Sequence, residues 1–354
     1  MYFLDSAHVL HVAKTGNDSN SGKAGQYPVN LANDAKLTIG SAISAAASGD
    51  TIILWPGDYA ENVSFGSKAL TMIGTSRNKS KIVPATGTGV LLADDSVLLN
   101  LAVEALQTSS GGKGVSCFNM SNIVIDRCDI YGGYDGLYGY GVKGLFLQRS
   151  RIRGKYDGGN FAGAERVVAK DCIFAGLGTY SPNVDCRAVY GLGIASVYQN
   201  CVFEAQRDDT TTYGIGAMFL GTGQQATLAN CVLKVTGGSG VTGSAFGVMV
   251  NGTGSIVNLA NCIIATDCPN ASSGPYDLWQ ANGKIIVSNS MYETFNGTII
   301  HGGPKANMAM KLLANKSIQT KSTGVIQYYD DDGATILLTL TPTEDATKIT
   351  LTPS

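Results

Sequence analysis

Tyr198-Gln199-Asn200-Cys201-Val202-Phe203, Leu228-Ala229-Asn230-Cys231-Val232-Leu233 and Leu259-Ala260-Asn261-Cys262-Ile263-Ile264 are three copies of one phrase. Looser copies run Ile125-Asp126-Arg127-Cys128-Asp129-Ile130, Leu147-Gln148-Arg149-Ser150-Arg151-Ile152 and Ala169-Lys170-Asp171-Cys172-Ile173-Phe174. Leu98-Leu99-Asn100-Leu101-Ala102-Val103 opens the series and Val287-Ser288-Asn289-Ser290-Met291-Tyr292 closes it. Counted at the Cys position, the stations are 101, 128, 150, 172, 201, 231, 262 and 290, with steps of 22 to 31 residues. Self-similarity at that period is the mark of a solenoid or an array.

Local chemistry selects the kind of solenoid. Each copy alternates apolar and polar residues with period two, which is strand rather than helix. Asn interrupts the alternation, and Asn is the non-glycine residue that best tolerates left-handed backbone, so it turns the chain between two short strands. The small Cys or Ser after it points inward and stacks on its counterpart one rung away. A step of 22 is too short for a strand and a full helix with two turns, but it suits three short strands. The reading is a parallel β-helix. Rungs about 4.8 Å apart keep stacked cysteines from bridging without distortion, so the eight cysteines read as buried thiols and not as disulfides or metal ligands.

Composition agrees and excludes several classes. Lys+Arg 25 against Asp+Glu 27 leaves a net charge of −2, with no basic footprint for nucleic acid or anionic lipid. Charged residues are only 15%, yet 44% hydrophobic residues supply a core, which excludes wholesale disorder. No run approaches the ~18 apolar residues of a membrane span. Met1-Tyr2-Phe3-Leu4-Asp5 lacks the basic and apolar regions of a secretory signal, so the expectation is folding inside the cell that makes the chain.

The N-terminal stretch carries a motif. His11-Val12-Ala13-Lys14-Thr15-Gly16-Asn17-Asp18-Ser19 precedes Ile39, Ile43 and Ala46, which mark one face of a short helix. Gly49-Asp50-Thr51-Ile52-Ile53-Leu54-Trp55-Pro56-Gly57-Asp58-Tyr59 follows. These residues resemble the N-terminal signature of the pectate-lyase-like right-handed β-helix superfamily. The resemblance implies an all-β, right-handed parallel β-helix over residues 51–304. Residues 1–50 would form an N-terminal loop and capping helix, and residues 305–354 a small C-terminal β module for trimerisation or attachment. In that module Asp330-Asp331-Asp332-Gly333 reads as a hairpin turn between alternating runs. The superfamily spans lyases, hydrolases, epimerases and non-catalytic adhesins, so it implies no single activity.

Chemistry in the solenoid cannot use His, because His8, His11 and His301 all lie outside it. Gly133-Tyr134-Asp135-Gly136 and Lys155-Tyr156-Asp157-Gly158 lie 22 residues apart, so Asp135 and Asp157 occupy one station on neighbouring rungs. Asp208 falls at the corresponding offset two rungs on, with Thr179 between. Such a pair is a candidate acid pair. Ca²⁺ is the one cofactor it admits, although no metal site is assigned. Asp-Gly is also a plain turn dipeptide. Nine of the 16 tyrosines fall between Tyr131 and Tyr213, and phenol rings make sugar platforms. Tyr134, Tyr138, Tyr140 and Tyr156 are the candidate carbohydrate-binding residues. Asp126, Arg127, Asp129, Arg149, Arg151, Lys170 and Asp171 form a charged flank that reads as solvated and salt-bridged. Insertions at 207–213, 236–243 and 267–277 should emerge along one edge.

The C-terminal Tyr-Asp-Asp-Asp-Gly-Ala-Thr phrase resembles the ends of phage tail-fibre and head-decoration proteins. That likeness implies a virion protein, a homotrimeric shaft meeting other virion proteins and cell-surface polysaccharide, with neither a nucleic-acid nor a membrane partner. The alternatives are a polysaccharide lyase or glycoside hydrolase acting on an acidic glycan, and a bacterial adhesin.

Overall fold

The computed structural model describes residues 8–23, 30–178, 186–207, 215–238, 244–269, 271, 273–297 and 299–301, and four strands between 317 and 353. Thr179, Asp208, the 330–333 turn and, within the three proposed insertions, residues 208–213, 239–243, 270 and 272 lie outside the described residues.

Short strands wind into three long parallel sheets of twelve, nine and ten strands, here called faces 1, 2 and 3. One coil shows the plan: Lys143–Gln148 on face 1, Arg151–Gly154 on face 2 and Asp157–Asn160 on face 3. The next coil repeats it with Glu165–Lys170, Ile173–Gly176 and Cys186–Tyr190. Each strand pairs in parallel with its equivalent one coil away, as Leu145 with Val167, Ile152 with Phe174 and Asp157 with Arg187. The parallel β-helix read from the sequence is the observed architecture. Among the described residues no helix is long and apolar enough to cross a membrane.

The corner between faces 1 and 2 is the repeated phrase. Its first residue is left-handed in every copy: Asn100 (φ 55°), Arg127 (52°), Arg149 (47°), Asp171 (54°), Asn200 (52°), Asn230 (54°), Asn261 (52°) and Asn289 (47°). Asn suits this conformation because its short polar side chain offsets the steric cost. It also bonds along the stack. Asn200 Nδ2 donates to Asp171 Oδ1 (3.0 Å), Asn230 Nδ2 to Asn200 Oδ1 (3.3 Å) and Asn261 Nδ2 to Asn230 Oδ1 (3.2 Å). The next residue faces the interior. Cys128, Cys172, Cys201, Cys231 and Cys262 are buried and free, and each thiol donates to the carbonyl two residues before it. Ser150 takes the same place with a 2.8 Å bond from its hydroxyl to Gln148 O.

Aliphatic and aromatic columns fill the rest of the interior. Phe174 and Phe203 stack at 5.3 Å with rings 8° apart, and Tyr198 meets Phe203 edge-on at 5.7 Å. The Tyr198 hydroxyl donates to Leu192 O, so this buried phenol keeps a partner. Burying each such ring contributes about 2–3 kcal/mol.

The N-terminal motif is structural throughout. Val9–Val12 is the first strand of face 1, paired with Thr51–Leu54, so His11 lies within the coil and the expectation that it stands outside is corrected. Asp18 accepts bonds from Leu37 N, Thr38 N and Thr38 Oγ1, which fixes the start of helix α1 (Ile39–Ala45). Glu61 accepts from Ile39 N and Gly40 N at the helix N-terminus, and Lys68 Nζ donates to Ile43 O and Ala46 O at the other end. Both charges match the helix dipole. Ile39, Ile43 and Ala46 are buried, as the spacing required. Tyr59 Oη donates to Val12 O and Trp55 O, so the Pro-Gly-Asp-Tyr turn anchors the first coil.

Residues Val287–Asn289 and Ile300–Ser354 make up a second compact unit. In it Ser317–Gln319, Ile326–Tyr329, Ile336–Glu344 and Ile349–Pro353 form a four-stranded antiparallel sheet.

Candidate functional site

Face 3 is where the chain buries charge. Its strands Val115–Ser116, Leu137–Tyr138, Asp157–Asn160 and Cys186–Tyr190 are neighbours in register. That register stacks Lys113, Asp135, Asp157 and Arg187 in one column at the entry to the face. Gly114 N donates to Asp135 O (2.9 Å) and Gly136 N to Asp157 O (3.0 Å), which locks the two aspartates on adjacent rungs. A glycine follows each of the first three. The reason is space, because a Cβ at Gly136 would lie 2.5 Å from Arg153 O and 2.6 Å from Gly158 O. Asp-Gly therefore recurs here as a close-packed strand entry and not as a simple turn.

The two aspartates differ in their partners. Arg187 Nε donates to Asp157 Oδ1 at 2.9 Å and its Nη2 to Oδ2 at 3.4 Å. The guanidinium lies 4.8 Å from the Tyr156 ring centre and 4.2 Å from that of Tyr190, and also bonds Tyr156 Oη. Asp157 is fully buried and Arg187 nearly so, which makes the pair costly to break. Asp135 is buried too, but neither carboxyl oxygen has a hydrogen-bond partner. Burial first, and then the negative charge of Asp157, push its pKa well above the usual carboxylate range, against the pull of Lys113 and Arg187. Asp135 thus keeps its proton to a higher pH than an ordinary carboxyl.

Lys113, Asp135 and Arg187 line a cleft of about 380 Å³ together with Ser110, Tyr134, Tyr138, Tyr156, Asn160 and Tyr190, while Asp157 is buried behind Arg187. Tyr134 and Tyr156 pack at 4.8 Å, and Lys113 Nζ lies 3.6 Å from the centre of the Tyr138 ring. Burial, with Asp135 and Tyr140 as lesser causes, raises the Tyr138 hydroxyl. Exposed Phe118 and Tyr140 stack with Tyr138 at centroid distances of 6.0 and 6.3 Å, so a flat aromatic shelf adjoins the cleft.

Of the residues singled out in the sequence, Asp135, Tyr134, Tyr138 and Tyr156 line this cleft, and Asp157 reaches it only through its ion pair with Arg187. Tyr140 lies beside it in the shelf. One expectation is corrected. The column does not continue through Thr179 and Asp208, because the register pairs Asp157 with Arg187 and Arg187 with Gly216. Extra residues between Gly176 and Cys186 stretch that step from 22 to 30. Arg187 therefore escaped the sequence reading. Lys113 was legible, since Lys113-Gly114 stands 22 residues before Asp135-Gly136. The charged flank stands at the corner between faces 1 and 2, where Arg149 grips Asp126 with bonds of 3.0 and 2.7 Å and Arg153 holds Asp129 at 2.9 Å.

Ca²⁺ does not suit the acid pair. Arg187 already occupies the cation's place beside Asp157. Among the described residues no group of three His, Cys, Asp or Glu side chains is arranged around a common centre.

Residues 76–264 match the family model of the right-handed β-helix region. The chain belongs to that family. Its coils and three parallel faces are those of a right-handed parallel β-helix. No curated protein matches it in sequence. Among solved structures, the pectate lyase Pel9A is 13% identical at a TM-score of 0.47, over 87% of this chain and 85% of its own. Pectin methylesterase from carrot is 12% identical (TM-score 0.45), over 84% of this chain and 89% of its own. A rhamnogalacturonan lyase is 14% identical (0.45), over 79% and 74%. At these identities the likeness is one of fold.

Proposed function

We propose that this right-handed β-helix protein binds a polysaccharide in the face 3 cleft and cleaves it by acid catalysis, with Asp135 as proton donor. The observation that carries the reading is the unequal aspartate pair in an aromatic cleft. Asp135, buried without a hydrogen-bond partner, stands one rung from Asp157, which is in an ion pair with Arg187. Two carboxyl groups driven to opposite protonation states are what glycosidic cleavage needs, one to protonate the leaving oxygen and one to support the sugar cation or a water. Tyr134, Tyr138, Tyr156 and Tyr190 offer ring faces for C–H stacking and hydroxyls for sugar hydrogen bonds. A neutral acid favours hydrolysis over β-elimination, which starts with a base.

The test is incubation with polygalacturonate and with neutral glucans, scoring new reducing ends against unsaturated uronate absorbance. Reducing ends without unsaturation are expected, and Asp135→Asn should lower the rate about 10²-fold or more. Full activity in Asp135→Asn would overturn the assignment.

A second reading is a homotrimeric virion shaft that displays this cleft to cell-surface polysaccharide. Supporting it is an apolar file on face 2, where Ile173, Val202, Val232, Ile263 and Met291 follow one another in register. Ile263 and Met291 are 46% and 63% exposed, more than a lone solvated coil requires. Two further copies of the chain would cover that file. Light scattering decides it: a trimer that Val232→Glu and Ile263→Glu dissociate supports the shaft, and a monomeric wild type refutes it.

A further inference from the structure

We propose that face 3 carries a second sugar-binding pocket, two to three rungs beyond Arg187, and that it and the acid cleft are two seats for one extended polysaccharide strand. This rests on the polysaccharide reading above and adds a site and a minimum ligand length to it. The pocket is lined by Ser244, Ala245, Phe246, Met249, Tyr276 and Trp279 and holds about 40 Å³. It is shallow, and no charged side chain lines it.

Register ties the two places together. The column of Asp157 and Arg187 passes through Gly216 to Phe246 and Tyr276. The column of Asn160 and Tyr190 reaches Met249 and Trp279 two and three rungs later. Both columns that line the cleft are therefore continued in register by residues of the pocket, the second by way of Phe219. Gly216 leaves room for the Phe246 ring. A Cβ there would lie 2.1 Å from Cε2 of Phe246, so the Phe246 ring occupies the space over the bare Gly216 backbone. No side chain rises between Arg187 and that ring in this column.

Two to three rungs at about 4.8 Å put the pocket ~10–14 Å beyond Arg187, and its far wall, Tyr276 and Trp279, about 19 Å beyond Asp157. The rise of one pyranose in an extended glycan is close to one rung, so a strand lying along the axis places successive units over successive rungs. A strand that reaches both seats has about five units. The charged cleft takes one end of it. The pocket takes a sugar ring through its C–H face, because aromatic walls reward stacking and the lining holds no cation for a carboxylate.

Trp55 and Trp279 are the only tryptophans, which supplies the readout. In the full chain with Trp55→Phe, indole emission reports the pocket alone. Titrants are cello-oligosaccharides and oligogalacturonides of two, four and six units, with total binding followed by calorimetry. Hexamers should shift Trp279 emission and bind about tenfold tighter than dimers. Trp279→Ala should bring hexamer affinity down to the dimer value and leave dimer affinity as it was, whereas Trp279→Phe should keep most of it. If Trp279→Ala binds hexamer as tightly as wild type, the second seat is refuted while the cleft stands. If neither series binds at any length, the polysaccharide reading fails and takes this inference with it. Unchanged thermal melting of Trp279→Phe and Trp279→Ala separates lost contact from lost fold.

Discussion

Asp135 and Asp157 stand on adjacent rungs of one column, yet Asp157 holds a 2.9 Å bond from Arg187 Nε while both oxygens of Asp135 are buried without a hydrogen-bond partner. Proteins rarely keep such an orphan without a use for it.

Stability should therefore rise when Asp135 is replaced by Asn. The folded-state pKa of Asp135 is raised, so the folded chain holds a proton that the unfolded chain releases above its ordinary carboxylate pKa of about 3.9. The wild type then loses stability as pH climbs from about 4 through the raised value. Asp135→Asn has no such loss. Its melting temperature should match wild type near pH 4 and exceed it at pH 8, by about 1–3 kcal/mol of unfolding free energy. Calorimetric scans across that range check both the sign and the convergence.

Arg187→Gln should do the opposite, leaving Asp157 buried and unpaired at a cost of about 3–5 kcal/mol. Adding Asp157→Asn in the same chain should recover most of the loss. Urea denaturation of the two single variants and the double variant gives the coupling energy, and additive losses would show that the pair is not a unit.

At the corner between faces 1 and 2, Asn230 combines φ 54° with a donated bond to Asn200 and an accepted one from Asn261. Asn230→Ala should cost about 1–3 kcal/mol, from left-handed strain together with the lost bonds. Asn230→Gly keeps the backbone conformation and should cost less than Ala. The order of the two denaturation midpoints tests whether conformation or bonding dominates.

The eight cysteines are all buried and unpaired. Burial pushes the Cys117, Cys128 and Cys186 thiols up to about 12, which removes the thiolate that reacts with disulfide dyes. Native protein at pH 8 should show almost no dye-accessible thiol, and eight after denaturation in guanidinium. Cys231→Ser should be tolerated, as Ser150 already fills an equivalent place. Cys231→Leu should overpack the interior by about 1–3 kcal/mol.

Legibility in the sequence followed the constancy of spacing. Two residues always separate the strands at the Asn–Cys corner, as between Gln148 and Arg151 or Ala260 and Ile263. The phrase therefore kept its shape, and the architecture could be read from it. The aspartate pair was legible for the same reason, because its two rungs share an uninterrupted step of 22. Arg187 was hidden by the extra residues before Cys186, which break the count where the charge that partners Asp157 is supplied. Pairing itself leaves no periodic trace. Nothing in the chain before folding distinguishes Asp135 from Asp157, since burial and partners alone make one an acid and the other half of an ion pair.

The two-residue corner and the variable one behind face 2 divide the labour of the coil. One edge works as a spine whose vertebrae cannot change length, and the opposite margin lets out slack without disturbing it. Residues gained or lost on that margin remodel the rim of the groove and leave the scaffold's register untouched. Adding or removing a whole coil instead would lengthen or shorten face 3 by one strand spacing, about 4.8 Å.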